Sequence, residues 1–355
     1  MVASEKTFIG IAQQAAFGTP NVTDANFQYL LFTQGGLAVA PVNVPLDMEV
    51  GGGAILRDVI KGGVVTGGQL QVIPRPATLG WVMKAMTGNV SSVAATGADT
   101  GAFTHTFTIG TDPFLAPYFT ARVSPGGVWG ETYQDMRFTS LALQWRGGRF
   151  VTGSYGLIGG LPTPSVAMTT WAAATKIDGG PQFLAPLGSI VLPTGTNLNV
   201  LSGSFVAQAQ IPLDEQWIVG SYVPQNLDIV QRAYMIQMAV KITDATLYNK
   251  ISYDPAAGSA WLAAMLKDGT IDLKFSSAPK VISGGALANS FEILANGQAA
   301  TGAGVTPNVA WTASPMNFQT GKQVIMNVVG TFLADPSGAN SPITMKLVNS
   351  TSTYA

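Results

Sequence analysis

The sequence predicts a mainly β protein of two tandem modules, each a β-barrel or sandwich of about seven strands flanked by one short α-helix. Three observations predict it. First, the 41 glycines and 21 prolines in 355 residues demand frequent tight turns between short apolar segments, and charged residues make up only 10% of the chain against 47% hydrophobic. Second, apolar residues alternate with small or polar ones in many short runs, most clearly at Leu141, Leu143 and Trp145. Third, the chain contains its own pattern twice. The skeleton Pro45-Leu46-Asp47 to Ala77-Thr78-Leu79 returns as Pro212-Leu213-Asp214 to Ala245-Thr246-Leu247, spaced 32 positions the first time and 33 the second. At a shift of 168, Gln69 and Val72 answer to Gln237 and Val240, and the stretch 101–107 lies over 269–275 with apolar residues at the same alternate places. Two units of about half the chain indicate a tandem duplication rather than a solenoid or propeller. The first module is read as residues 1–160 and the second as 198–355, with the Pro/Gly-rich stretch 161–197 as the linker.

Residues 1–30 read as loop, with a turn at Phe17-Gly18-Thr19-Pro20. Strands follow at 29–33 and at 37–44, where Leu37, Val39 and Pro41 alternate with smaller residues. The segment from Asp47 to Gly68 carries three glycine clusters, Gly51-Gly52-Gly53, Gly62-Gly63 and Gly67-Gly68, and reads as a long, flexible hairpin arm with its counterpart from Asp214 to Leu227. A strand at 69–73 leads into a helix in which Leu79, Val82, Met83 and Met86 fall at i, i+3, i+4 and i+7; Pro76 suits its first turn and Gly88 ends it. After a Ser/Thr/Ala/Gly loop come strands at 103–109 and 118–123, then a turn at Ser124-Pro125-Gly126-Gly127. A two-residue turn at Gly147-Gly148 would set Trp145 across from Phe150. A short helix is read near 168–175. In the second module, strands at 200–211, 230–242, 270–276, 290–294, 308–312, 323–333 and 343–348 accompany a helix with Asp244 as N-cap and a second helical segment at 260–267.

Charge is evenly shared. Nine basic and nine acidic residues lie in 1–165, nine and ten in 166–355, and the net charge is −1, so no nucleic-acid-binding face is announced. A surface so poor in charge is either buried against other subunits or polar through Ser, Thr, Asn and Gly, as in an extracellular protein. The opening Met1-Val2-Ala3-Ser4-Glu5-Lys6-Thr7 lacks the features of a secretory signal, and the longest apolar run, 260–266, is too short to span a membrane, so a cytoplasmic product is expected. With no cysteine there are no disulfides and no thiolate chemistry.

Catalytic signatures are missing. His105 is the single histidine and reads as a core or sheet-face residue; Gly153-Ser154-Tyr155-Gly156 is not a nucleophile elbow; the Gly51–Gly53 run lacks the Lys-Ser/Thr ending of a phosphate loop. The carboxylate pairs Asp47/Glu49 and Asp214/Glu215 read as solvated turn residues. No enzyme, metal or cofactor is therefore expected.

The opening Gly10-Ile11-Ala12-Gln13-Gln14-Ala15-Ala16-Phe17-Gly18-Thr19-Pro20, the strand-then-helix around Pro76-Ala77-Thr78-Leu79-Gly80, the His105-Thr106-Phe107 strand and the hairpin from Ser140 to Arg149 together resemble the major tail tube proteins of long-tailed, siphovirus-type bacteriophages, in a two-module version. The resemblance implies a β-barrel-like module with a flanking helix, a loop reaching to the neighbouring ring, rings of six modules, and genome DNA passing through the hollow lumen. Two modules per chain then imply trimeric rings with pseudo-sixfold symmetry, stacked into a tube. The implied partners are further copies of the chain, tape-measure, tail-tip and tail-terminator proteins, and double-stranded DNA transiently in the lumen. The implied location is the virion tail, assembled in the host cytoplasm. The alternative is a carbohydrate-binding or adhesin-like β-sandwich of a virion or cell surface.

The residues expected to make inter-ring or inter-subunit contacts are Gly52, Ile55, Leu56, Val59, Ile60, Val64 and Val65 of the first arm, with Trp217 and Tyr222 of the second. Their apolar side chains are too many for a solvated loop, while flanking glycines prevent rigid packing in their own core. Lumen-facing positions are expected to be neutral or acidic, with Arg122, Arg137 and Lys241 not forming a belt in the channel.

Overall fold

The computed structural model describes residues 7–45, 58–110, 112, 114–160, 162–167, 180–191, 199–243, 245–252, 266–267, 271–282, 287–295, 309–313, 323–334 and 341–354. The first half contributes β1 (Phe8–Gln13), β2 (Gln28–Leu30), β3 (Phe32–Pro45), β4 (Val59–Val72), α1 (Pro76–Thr87), β5 (Gly88–Ala94), β6 (Phe103–Ile109), β7 (Phe119–Ser124), β8 (Trp129–Arg146) and β9 (Thr152–Gly159). β10 (Pro162–Ala167) and β11 (Phe183–Val191) follow. The second half contributes β12 (Val200–Gln210), β13 (Gln231–Lys241), α2 (Thr246–Ser252), β14 (Leu266–Lys267), β15 (Asp272–Val281), β16 (Ala288–Ala295), β17 (Val309–Ala313), β18 (Ile325–Phe332) and β19 (Ile343–Asn349). The protein is mainly β and its pairings are antiparallel.

These strands form two sheets, of thirteen and six strands. Neither closes on itself among the described residues, so the architecture is two open sheets rather than closed barrels. The large sheet repeats itself. The order β3-β4-β9-β8 in the first half recurs as β12-β13-β18-β17 in the second, and the two runs join edge to edge where Ser140–Arg146 of β8 pairs with Ser202–Gln208 of β12. The small sheet also mixes the halves, in the order β11-β15-β16-β19-β6-β5, with β19 hydrogen-bonded to both β16 and β6.

Registers explain why this sheet has one apolar face. Phe32, Val72, Gly153, Leu143, Phe205, Ile236, Gly330 and Trp311 form one row across eight strands. Apart from the half-buried Phe32, its side chains are buried. Gly330 belongs there because a Cβ would come within 2.9 Å of Ile236 and 3.0 Å of Trp311. The neighbouring row alternates to the opposite face, as the pleat requires. Helix α1 covers the core with Leu79, Val82, Met83 and Met86 fully buried, starts on Pro76 and stops at Gly88, whose φ of +96° suits glycine.

Several sequence expectations change here. Residues 8–13 are not loop but β1, an interior strand between β2 and β7; its burial on both faces hides the alternation, and Gly10 lies where a Cβ would be 2.8 Å from the Tyr29 ring. Gly62-Gly63 and Gly67-Gly68 lie inside β4, where Gly68 packs against the Gly36 backbone, so close approach rather than flexibility explains that pair. The presumed loop after Gly88 is β5. Trp145 faces Gly203 of β12, not Phe150, because β9 begins only at Thr152; Phe150 is exposed and bridges to Leu184. The stretch read as linker supplies two strands, β10 on β8 and β11 on β15. Leu266-Lys267, read as helix, is the strand β14. The helix expected at 168–175, the Asp244 cap and the remainder of the 260–267 segment lie outside the described residues.

Candidate assembly surfaces

The first surface is an edge. β3 pairs only with β4, and no strand is bonded along its other side among the described residues. Both of its faces are open: from Thr33 to Pro45, only Leu37 is buried among the residues whose exposure is described. A 14-residue edge strand with free N–H and C=O groups is a ready acceptor for another chain.

The second surface is the far end of the β3–β4 hairpin. β9 covers β4 only from Thr66 onward, so Val59–Val65 projects beyond the sheet with β3. The structure sets the second arm against the first within one chain. Trp217 lies on Gly63, where a Cβ would fall 2.5 Å from its ring, and the Val64 N–H donates to the Tyr222 carbonyl at 2.8 Å. Val64 is consequently buried and Val65 half-buried, whereas Val59, Ile60 and Tyr222 are 49%, 56% and 68% exposed. Of the residues singled out in the sequence, Val64, Val65, Trp217 and Tyr222 are thus brought together. Val59 and Ile60 stay open, and Gly52, Ile55 and Leu56 lie outside the described residues. Sequence reasoning missed that Ile218 and Val219, 58% and 104% exposed, extend this apolar end; their place between Trp217 and Tyr222 was the available signal.

The third surface is the second face of the large sheet. The row Gln34, Gln71, Ser154, Ala142, Val206, Met235, Thr331, Ala310 crosses eight strands. Beside it run Thr152, Gln144, Ser204, Gln237, Val329 and Thr312. Both rows are uncharged; Arg146 and Lys241 enter this face only where their strands end. Arg122 and Arg137 are buried elsewhere. Arg122 pairs with Asp24 and stacks over Phe27 at 3.9 Å, and Arg137 stacks over Tyr118 at 3.9 Å.

The motif-like residues serve the fold. With its amide oriented to satisfy both neighbours, Gln14 donates to Asp135 Oδ1 at 3.0 Å and accepts from Thr120 Oγ1 at 3.0 Å and the Asp135 N–H at 3.1 Å. The Gly18 N–H, at φ +72°, also donates to Asp135 Oδ1, at 2.7 Å. Burial pushes the Asp135 carboxyl above its ordinary value, against the pull of the Gly18 N–H. The opening signature is therefore the end of β1 with the loop that follows it, tied to β7 and β8. His105 is fully buried. Its Nε2 reaches Asn349 Oδ1 at 3.1 Å and the Thr351 carbonyl at 2.9 Å, so Nε2 carries the proton and Nδ1 accepts from Ser92 Oγ at 2.8 Å. Burial lowers its pKa, which leaves the ring neutral and structural.

One cluster had no sequence signal. Tyr354, fully buried, sits against Gly80 of α1, where a Cβ would fall 2.1 Å from its ring, and donates to the Pro76 and Ala77 carbonyls at 3.1 and 3.0 Å. Lys84 donates to Gln13 Oε1 at 2.8 Å and to the Tyr354 carbonyl, and burial lowers its pKa. Residues 349–354 thereby tie the second half to the first-half helix. Among the described residues no helix is long and apolar enough to cross a membrane.

A search of curated proteins finds no match. A family model described as phage tail tube protein matches residues 4–326. A match over nearly the whole chain makes this protein a member of the phage tail tube family, structural components of the virion tail that self-assemble into a tube.

Proposed function

We propose that the protein polymerises into the hollow tail tube of a long-tailed, siphovirus-type phage, as trimeric rings with pseudo-sixfold symmetry stacked along the tail, and that the tube is the conduit for genome DNA at ejection. The observation that carries the reading is the repeated strand order. Within the chain, the last strand of the first four-strand run, β8, pairs antiparallel with the first of the second run, β12. The chain as a whole begins the same series with the open edge of β3 and ends its second run with β17. Each run holds an even number of alternating strands, so another copy's β17, once the two-residue β14 on Ala310 and Trp311 gives way, meets β3 antiparallel, in the manner of β8 and β12. This head-to-tail contact closes a ring, and two modules per chain, residues 1–160 and 198–355 with 161–197 between them, make three chains equivalent to six units.

The uncharged Gln/Ser/Thr face suits the lumen wall, since a cationic wall would hold phosphate by counterion release and a neutral one lets DNA slide. Tape-measure, tail-tip and tail-terminator proteins are the partners this role requires, with assembly in the host cytoplasm and no catalytic step. Negative-stain imaging and native mass measurement of the purified protein test the reading. Rings of three chains that stack into hollow tubes are expected; rings of six chains, or a stable monomer at high concentration, overturn it.

A further inference from the structure

The large sheet has two unlike ends. At one end, where β12 turns into β13 and the β3–β4 hairpin projects, Ile60, Ile218, Val219 and Tyr222 are exposed beside the exposed carboxylates of Asp58, Asp214, Glu215 and Asp228, with Lys61 the exposed cation among the described residues there. At the other end, where β8 turns into β9, a cleft of about 960 Å³ is lined by Gln144, Trp145, Arg146, Arg149, Phe150 and Leu184, among others. Both arginines are exposed, and Phe150 offers 44% of its surface. One end is thus apolar and acidic, the other an apolar cleft rimmed by guanidinium groups.

We propose that the acidic, apolar end of one copy seats in the arginine-rimmed cleft of a second copy of this chain, and that this heterologous contact is the axial joint between successive rings. The inference rests on the tube reading and deepens it by naming the receptor as well as the arm. Three features of the geometry support it. The ends are opposite along the strands, so a copy cannot satisfy its own cleft and contact propagates along one axis. Their charges are opposite, so encounter is steered and wrong-way stacking, acid on acid, is repelled. Each end exposes large apolar side chains, as a surface covered in the assembly does.

The chain has no cysteine, so a paired Val219→Cys, Phe150→Cys variant is a clean test. Gly63, beneath Trp217, is nine positions along β4 from Val72 at the cleft end, a separation of about 30 Å, far beyond the roughly 7 Å that a disulfide spans. Any disulfide between the introduced thiols therefore joins different chains. Oxidised tubes should give a ladder of linked chains on denaturing gels, while unassembled subunits give none. An Arg146→Glu, Arg149→Glu variant should keep its rings and lose elongation, and adding Asp214→Lys, Glu215→Lys should restore it. Tubes that form without cross-linking, or arginine variants that elongate normally, overturn the proposal alone. Rings that never stack also overturn only this contact, whereas a wild-type chain that forms neither rings nor tubes brings down the tube reading with it.

Discussion

On one face of the large sheet, the row from Phe32 to Trp311 packs aromatic and branched side chains into a continuous core. On the other, the row from Gln34 to Ala310 sets glutamine, serine, alanine, valine, methionine and threonine on the same eight strands, with no charge. The strands and registers are shared, so backbone hydrogen bonding cannot distinguish the faces. An ordinary solvent face carries ions, as the small sheet does, where Lys274, Glu292 and Lys346 lie side by side across β15, β16 and β19 and Glu292 meets Lys346 at 3.7 Å. The missing charge on the large sheet is thus a property of that face, and it fits a wall that a polyanion passes.

The comparison breaks most severely where α1 meets the core. A Gly80→Val substitution places its Cβ 2.1 Å from the Tyr354 ring, and overpacking at a site fixed by hydrogen bonds to Pro76 and Ala77 should cost about 3 kcal/mol or prevent folding. Thermal unfolding reads this directly, and pairing it with Tyr354→Ala should recover part of the loss; strict additivity would show that the two residues do not meet.

The core row gives an effect of the same order. Phe205→Ala should lower stability by about 3–5 kcal/mol, whereas Gln144→Ala, one strand position from Leu143 and on the opposite face, should stay within about 0.5 kcal/mol. Equal effects in denaturant unfolding would erase the distinction between the faces.

The uncharged face is sharpened by adding charge to it. Gln71→Lys with Met235→Lys should leave the melting temperature nearly unchanged but give assembled tubes a DNA affinity that falls steeply with salt. Wild-type tubes that already bind DNA in this way would contradict a neutral wall.

The smallest effect belongs to the small sheet. Burial, and then the neighbouring Glu292, push the Asp272 carboxyl up to about 6. A folded pKa above the unfolded value means that the native state holds the proton more tightly; this stabilisation is present below about pH 3.9 and is lost as pH rises through about 6. Asp272→Asn should remove that part of the slope, so the melting temperature of the variant should fall less than that of the wild type between pH 4 and 7. Parallel curves would show that Asp272 does not titrate there.

Local pattern determined a good deal of this protein. The stripe of Leu79, Val82, Met83 and Met86 between Pro76 and Gly88 specified α1 nearly to the residue, because helix periodicity and its stop signals act within one element. The duplication placed β12 and β13 within one residue and β18 within two residues of their positions, and the paucity of charge pointed to a surface made for other chains. Tertiary structure decided what depends on neighbours distant in sequence. β1 looked like loop because both its faces are buried, and Gly10 reads as a breaker until Tyr29 is seen lying on it. Trp145 found Gly203 rather than Phe150 because β12 of the second half, not the local return strand, provides the surface its ring needs. Trp217 and Tyr222 met Gly63 and Val64 for the same reason: each arm end is short of cover, and in the folded chain each lies within reach of the other.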